Sequence, residues 1–213
     1  LPNSIQLKQF EKEEKNNREL SKNLYEIIKN IPKKSHPMDV ARTAVSVMGL
    51  EDKETFDSSP EANMRKALRI FSKTPTALAA FYRIRDGKKI IKPKKTLTFA
   101  ENFFYMCFGK VPQKEIVKAF DVSLILYAEH SFNVSTFTAR TITSSLSDIH
   151  GAITGAIASL KGPLHGGANE EVMHMMNKIK KPENALKWIN NALKNKDVVM
   201  GFGHRVYKSG DSR

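Results

Sequence analysis

Helical periodicity runs through almost the whole of this chain of 213 residues. Apolar side chains recur at a spacing of about 3.6 residues. No segment alternates apolar and polar residues convincingly over more than four or five positions. Such a pattern is typical of helices that bury one face, and it gives no support for a sheet. We therefore predict an all-α fold.

Capping residues and prolines mark the ends of the predicted helices. Ser35 is the predicted N-cap of a helix that ends at Gly49. Pro75 is predicted to separate two helices, of which the first carries Met64 and Phe71 on its apolar side. The predicted helices are 20–31, 36–48, 60–73, 75–86, 98–108, 112–130, 134–146, 148–160, 169–179 and 182–193.

Composition narrows the class of protein. Hydrophobic residues make up 40% of the chain, enough for a sizeable core. No run approaches the roughly 18 to 20 apolar residues that a membrane span needs, and the first residues do not resemble a signal peptide. Cys107 is the one cysteine, so an internal disulfide is impossible and a buried thiol is predicted. We predict a soluble protein of the cytosol or an organelle.

The chain is strongly basic, with 35 Lys and Arg against 22 Asp and Glu and a formal charge of +13. This excess favours polyanions in general. One alternative is therefore a non-catalytic helical module that binds nucleic acid or a partner protein. However, the basic run 88–95 lacks an aromatic residue for stacking, and no predicted helix carries Lys and Arg along one face. We predict a solvated loop at 88–95 and no nucleic-acid partner.

The segment "GPLHGGANEE", residues 162–171, places His165 among glycines between two predicted helices. Glycines allow the backbone to approach a ligand closely, and the start of the next helix favours an anion. The pattern indicates a site for an anionic or oxygen-rich ligand. The alternative is a tight turn in which His165 only bonds a carbonyl group.

A second motif repeats this arrangement, and a third places a histidine at a helix end. His204 follows Gly-Phe-Gly in "GFGHRVYKSGDSR", residues 201–213, where Lys208 and Arg213 come close behind. His130 ends a predicted helix in "AEHSFNVSTFTAR". Histidines at glycine-rich loops or helix ends, with arginine nearby, predict a pocket for a small carboxylate and its carbonyl chemistry.

A metal site is not predicted. Glu171 and His174 have Glu-x-x-His spacing, but a di-metal bundle needs a second such motif and further glutamates. Gly201-x-Gly203 lacks the third glycine and the βαβ unit of a dinucleotide site. A serine nucleophile elbow is absent as well.

At these three motifs the sequence resembles the citrate synthase family, and the motifs follow the family's order. The resemblance runs from about Ser35, through "HPMDVARTAV", to Arg213. The segments "SHPMDVARTAVSVMG" and "LYAEHSFNVSTFTAR" look most like the family's 2-methylcitrate synthases, which use propionyl-CoA in place of acetyl-CoA. The resemblance implies part of a multi-helix large domain at 1–162. It also implies an active-site loop and the start of a small helical domain at 163–213.

The resemblance also implies a role for each motif residue. His165 would hold the thioester carbonyl of an acyl-CoA and stabilise its enol, and His204 would bond and protonate the oxaloacetate carbonyl. His130, His204 and Arg213 would bind oxaloacetate, while Lys208 would meet a CoA phosphate. The loop that recognises CoA would comprise Val198, Val199, Met200, Gly201, Phe202 and Gly203.

The family implies two substrates, oxaloacetate and a CoA thioester, with no tightly bound cofactor. It also implies a cytoplasmic homodimer. Its catalytic aspartate and further substrate arginines, one from across the dimer, would lie beyond Arg213. We therefore expect this chain to be a piece of a longer enzyme and to be inactive alone.

The predicted reaction is condensation of propionyl-CoA with oxaloacetate and water to 2-methylcitrate and CoA. A citrate synthase that uses acetyl-CoA is the alternative. The two acyl substrates differ by one methylene group, on which a pocket discriminates by only about 1 to 3 kcal/mol.

Overall fold

A computed structural model describes residues 1–128 and 133–202. These residues form ten α-helices and one short 3-10 helix, with no strand among them, which confirms the all-α prediction. The α-helices are α1 (Ser4–Asn17), α2 (Lys22–Asn30), α3 (Pro37–Glu51), α4 (Pro60–Arg85), α5 (Phe99–Phe108), α6 (Lys114–Tyr127), α7 (Val134–Thr143), α8 (Ile149–Leu160), α9 (Ala168–Ile179) and α10 (Ala185–Asn195).

The chain divides into two compact units, Leu1–Ser159 and Leu160–Arg213. None of the helices in the described ranges is both long enough and apolar enough to cross a membrane. Helix α4 is the centre of the first unit, because α1, α2, α3 and α5 all pack against it. The main core lies around it and comprises Leu20, Leu24, Tyr25, Ile28, Val40, Ala44, Val47, Met48, Ala77, Ala80 and Phe81.

Helix α4 is continuous through Pro75, so the predicted break at this proline is wrong. Proline cannot donate to the carbonyl of Phe71, and a proline inside a helix costs about 3 kcal/mol. The helix persists because it packs against four other helices. In addition, the Thr74 hydroxyl donates to the Ile70 carbonyl at 2.7 Å, one turn before.

The buried face of α4 also differs from the prediction. Met64 is 72% exposed and Phe71 is 47% exposed, whereas Ala62 and Lys66 are fully buried. The Lys66 ammonium donates to the backbone carbonyls of Thr55 and Asp57, so its charge is satisfied inside the protein. The apolar periodicity therefore identified α4 as a helix but not which side of it faces this core.

Helix α3 begins and ends at other residues than predicted. Its N-cap is His36 rather than Ser35, and the His36 Nδ1 accepts a bond from the Met38 N–H at 3.2 Å. The helix continues two residues past Gly49. A Cβ at Gly49 would lie 2.8 Å from the Cβ of His150, so glycine is needed here for close approach of α8 and not to end the helix.

Helix α5 matches its prediction. Thr98 caps its first turn in a capping box with Glu101, and Gly109 ends it with a φ of +79°. Cys107 is buried as predicted. Burial raises the pKa of the Cys107 thiol to about 11, so the thiolate is suppressed at neutral pH.

Helix α1 was missing from the predictions. It begins in a capping box between Asn3 and Gln6. Just after it, the buried Arg18 donates to both oxygens of Glu14, at 2.7 and 2.6 Å. The Arg18 Nη1 also donates to the carbonyls of Lys94 and Leu97. The end of α1 is thereby tied to the basic segment 88–95.

A charged cluster holds the first turn of α8 against the end of α3. His150 is only 2% exposed. Its Nε2 lies 3.6 Å from Asp52 Oδ2 and its Nδ1 lies 3.5 Å from Asp148 Oδ1. Within the described chain neither ring nitrogen has a hydrogen-bond partner.

The two carboxylates near His150 have other partners. Arg69 binds both oxygens of Asp52, at 2.8 Å each. The Asp148 side chain accepts from the N–H groups of His150 and Gly151, which caps α8.

Burial and the neighbouring charges shift the pKa values of His150 and Asp52 in opposite directions. Burial lowers the pKa of His150, and the nearby Asp52 and Asp148 carboxylates offset this only in part. For Asp52, burial raises the pKa, but the bonds from Arg69 and from the Glu54 N–H bring it below its usual value. A neutral imidazole next to an ionised Asp52 is therefore the state expected at neutral pH.

The lowered pKa of His150 predicts loss of stability on mild acidification. Unfolded His takes up its proton near pH 6.5, above the pKa of folded His150, so the unfolded state binds more protons as pH falls through this range. His150 alone should lower the free energy of unfolding below pH 6.5 by at most about 1.4 kcal/mol per pH unit. Denaturant unfolding of the full-length protein between pH 7.5 and 5.5 measures this slope.

The matched control compares two histidine substitutions. His150→Gln should flatten the slope, whereas His174→Gln, at a position with a 57% exposed side chain, should leave it as in the parent protein. An unchanged slope in His150→Gln would contradict the prediction.

Candidate functional site

The loop that carries His165 folds back on itself within the second unit. The Gly162 carbonyl accepts bonds from two N–H groups, those of His165 at 2.9 Å and of Gly167 at 3.1 Å. The His165 carbonyl in turn accepts from the Ala168 N–H at 3.2 Å. The backbone of residues 162–168 is thus fixed by its own hydrogen bonds, and the side chain of His165 is half-buried on this turn.

The glycines of this loop are explained by the protein's own backbone. A Cβ at Gly166 would lie 2.5 Å from the Leu160 carbonyl oxygen. A Cβ at Gly167 would lie 3.0 Å from the carbonyl oxygens of Lys161 and Gly162. The sequence prediction attributed these glycines to a close ligand. The structure gives them a second reason, because the loop crosses the end of α8 too closely for any side chain.

Helix α9 starts directly after this loop. Its N-cap is Gly167, which has no side chain to bond the first turn. The N–H groups of Ala168 and Asn169 donate to loop carbonyls, so these two are not free to bind a ligand as the sequence prediction assumed. Glu170 and Glu171 occupy the first turn, where negative charge is favourable. The positive end of the α9 dipole therefore lies beside the loop of His165.

The described part of the predicted CoA loop, Val198 to Phe202, follows α10 and has no regular structure. Val198 is 77% exposed and Phe202 is 74% exposed. Gly201 has a φ of +89°, and a Cβ there would meet the side chain of Val172 at 3.2 Å. This segment therefore passes next to α9, the same helix that begins at the His165 loop.

Several predicted site residues lie outside the described residues. They are His130, Gly203, His204, Lys208 and Arg213. Of the predicted site, the structure thus describes the His165 loop and the first five residues of the CoA loop. Both belong to the second unit and both adjoin α9.

His174, weighed as part of a Glu-x-x-His motif, lies on the exposed surface of α9. Its Nε2 is 3.8 Å from Glu170 Oε1, and its side chain is 57% exposed. Among the residues that the structure describes, no group of three or more His, Cys, Asp or Glu side chains is arranged to hold a metal ion.

Sequence reasoning missed the cluster of His150, Asp52 and Arg69. These residues also line the wall of a cleft of about 450 Å³ in the first unit. The one local signal is the sequence Ser-Asp-Ile-His at 147–150, where the capping Asp148 stands two residues before the histidine. That signal places His150 at a helix start but gives no information on the helix it meets.

The comparisons with known proteins agree with this fold. The family model described as "Citrate synthase, C-terminal domain" matches residues 1–213. A protein named 2-methylcitrate synthase 2 from Corynebacterium glutamicum is 52% identical and matches 100% of this chain and 57% of its own length. A protein named citrate synthase from Mycolicibacterium smegmatis is 50% identical over 98% of this chain and 56% of its own length. The chain thus spans about half the length of the curated relatives it matches.

Solved structures give the same result. Citrate synthase from Thermotoga maritima superposes with a TM-score of 0.83 at 38% identity, covering 99% of this chain and 55% of that one. Citrate synthase from Thermoplasma acidophilum, solved in a ternary complex with carboxymethyl coenzyme A and oxaloacetate, gives a TM-score of 0.89 at 31% identity. It covers 100% of this chain and 56% of that one. Since the family model and these structures match the chain over nearly its whole length, the chain belongs to the citrate synthase family.

Proposed function

We propose that the protein containing this chain condenses an acyl-CoA with oxaloacetate and then hydrolyses the thioester. The observation that carries the proposal is the match of the family model to the whole chain, including the loop of His165. A structural relative with a TM-score of 0.89 was solved with a CoA analogue and oxaloacetate, which supports these two substrate classes. No tightly bound cofactor enters the proposal.

The proposed role of His165 is to donate a hydrogen bond to the thioester carbonyl. Removal of the α-proton places negative charge on that oxygen, and a fixed donor stabilises the charge more than it stabilises the neutral substrate. The bonds of Gly162 to the N–H groups of His165 and Gly167 hold the backbone of the donor in place. The adjacent start of α9 adds the positive end of a helix dipole, which the carboxylates of Glu170 and Glu171 in its first turn offset.

The remaining roles follow the family resemblance and stay proposals. His204 would bond the oxaloacetate carbonyl and supply its proton when the enol carbon attacks. His130 and Arg213 would hold the oxaloacetate carboxylates, for which the planar guanidinium of arginine is well suited. The acceptor of the α-proton would be an aspartate of the full-length protein that follows Arg213 in the family's order.

The proposal also assigns a segment of the chain to CoA binding. Val198 to Gly203 would receive the CoA adenine, and Lys208 a CoA phosphate. The exposure of Val198 and Phe202 and the irregular backbone of this segment support a role as a ligand-binding loop.

We further propose that residues 1–162 belong to a large domain and 163–213 begin a small one, in a homodimeric cytoplasmic enzyme.

Two acyl-CoA substrates, propionyl-CoA and acetyl-CoA, are candidates within this proposal. The 2-methylcitrate synthase and the citrate synthase among the relatives are 52% and 50% identical to this chain, so overall identity does not separate them. We propose propionyl-CoA because the segments around His130 and after Ser35 resemble the methylcitrate branch. Acetyl-CoA is the second candidate.

The full-length enzyme should release free CoA from propionyl-CoA and oxaloacetate with a higher kcat/KM than from acetyl-CoA. One methylene group limits the preference to about 10- to 200-fold. A thiol assay with each acyl-CoA at saturating oxaloacetate measures the ratio. Equal values, or a preference for acetyl-CoA, would assign the protein to the citrate synthases.

Replacement of His165 should affect the chemical step more than binding. His165→Ala in the full-length enzyme should lower kcat by roughly 10²- to 10⁴-fold, because the lost bond is strongest in the transition state. The KM values should change much less. Leu164→Ala is the matched control, since Leu164 is fully exposed on the same loop. A His165→Ala enzyme that melts early but turns over normally would make His165 a turn residue only.

Substitution of Lys208 should affect the use of acyl-CoA, and substitution of Arg213 the use of oxaloacetate. Lys208→Ala should raise the KM for acyl-CoA by about two- to fivefold, because it removes one point charge from a phosphate contact. Arg213→Ala should instead weaken the use of oxaloacetate. Lys187→Ala, at an exposed position on α10, is the control for loss of one charge. An unchanged acyl-CoA KM in Lys208→Ala would remove Lys208 from the CoA site.

The alternative of a non-catalytic basic module is tested with the same full-length protein. Retention on DNA that is lost with salt, together with no retention on immobilised CoA, would favour that alternative. We expect retention on CoA.

A further inference from the structure

Helix α1 and the basic segment 88–95 together form a cleft of about 290 Å³. Four lysines and one glutamate line it and give it a formal charge of +3. Like charges held together repel one another, so a bound anion would offset this repulsion. The lining residues are Lys8, Glu11, Lys12, Lys15, Asn16 and Lys95.

The cationic face of α1 corrects the sequence analysis, which found no helix with basic residues along one side. Lys8, Lys12 and Lys15 are spaced four and three residues apart, so they lie on the same face of the helix. The one acid of the cleft, Glu11, lies 3.9 Å from the Lys15 ammonium and neutralises only part of the charge.

The position of Lys95 beside this face is fixed by partly buried hydrogen bonds of its neighbours. Arg18, which is 2% exposed, donates to the carbonyls of Lys94 and Leu97 at 2.8 and 2.9 Å. The Asn102 Oδ1 accepts from the Lys94 N–H at 2.8 Å. The backbone on both sides of Lys95 is therefore held by the fold, and the Lys95 ammonium donates to Asn16 on the other wall at 2.8 Å.

The side chains that line the cleft indicate the class of ligand that it would bind. The lining contains no aromatic or apolar side chain, so neither base stacking nor burial of an apolar group contributes to binding. Ammonium groups are strongly hydrated point charges that suit phosphate oxygens. A charge of +3 in a small cleft matches a compact anion with several adjacent charges. We propose that this cleft binds an oligophosphate group, such as inorganic tripolyphosphate or the phosphate chain of a nucleoside polyphosphate.

This proposal does not depend on the condensation reaction. None of the six lining residues has a role in the proposed chemistry. The two proposals can therefore fail independently.

Titration calorimetry of the full-length protein with sodium tripolyphosphate, at about 20 mM salt, tests the site. We expect saturable binding that weakens when salt is raised to about 200 mM, because the site acts through charge. Lys12→Gln combined with Lys95→Gln should weaken binding by about 4- to 25-fold, from about two- to fivefold for each lysine. Lys33→Gln combined with Lys34→Gln removes the same charge from exposed positions outside the cleft and should leave binding unchanged.

Three results would overturn the proposal. One is tripolyphosphate binding no tighter than sulfate at equal ionic strength. Another is equal weakening in the Lys12/Lys95 and Lys33/Lys34 double variants, which would indicate a response to net charge alone. The third comes from a comparison with a thymidylate dodecamer, a nucleic acid in which sugars separate the phosphates. Tighter binding of the dodecamer than of tripolyphosphate, lost in the Lys12/Lys95 variant, would make the surface a nucleic-acid site.

Discussion

Close packing of four helices around α4 is the constraint on which the first unit depends. Alanines supply much of the contact surface of α4, and Ala77, Ala79 and Ala80 are at most 2% exposed. Small side chains let neighbouring helices approach closely, so each position is sensitive to added volume. This packing also explains how α4 accommodates Pro75, because contacts along its length offset the lost backbone bond. The core thus rests on one long helix that its neighbours hold in place.

The buried titratable side chains discussed for this unit fall into two kinds. Lys66 and Arg18 each donate to two backbone carbonyls of an irregular segment. Such bonds order the irregular chain at 55–57 and 94–97. His150 is different, because its ring is buried between two carboxylates at distances slightly too long for hydrogen bonds. A buried polar group without a close partner is costly, which makes this helix junction sensitive to protonation.

The loop of His165 shows how structural and chemical demands coincide. Its glycines are required because the turn passes close to the end of α8, and its hydrogen bonds fix the backbone that carries the histidine. A donor on a rigid turn needs little reorganisation when charge develops next to it, and this is the property that the proposed enolate chemistry requires. The same glycines that make the turn possible would therefore also serve the proposed catalytic role of His165. A purely structural turn and a catalytic loop share this local sequence, which explains why the sequence left both interpretations open.

The helical class, most helix positions and the family could be predicted from the amino-acid sequence alone. Caps such as Thr98 and Gly109 act within one turn of chain, so they can be read without knowing the rest of the fold. The motif around His165 could be found for the same reason, although its glycines have a second cause that only packing revealed. Three features could not be predicted in this way: Gly49 lies inside α3, α4 continues through Pro75 and Phe71 is partly exposed. For α4, packing against four helices from distant parts of the chain outweighs the local cost of about 3 kcal/mol at Pro75.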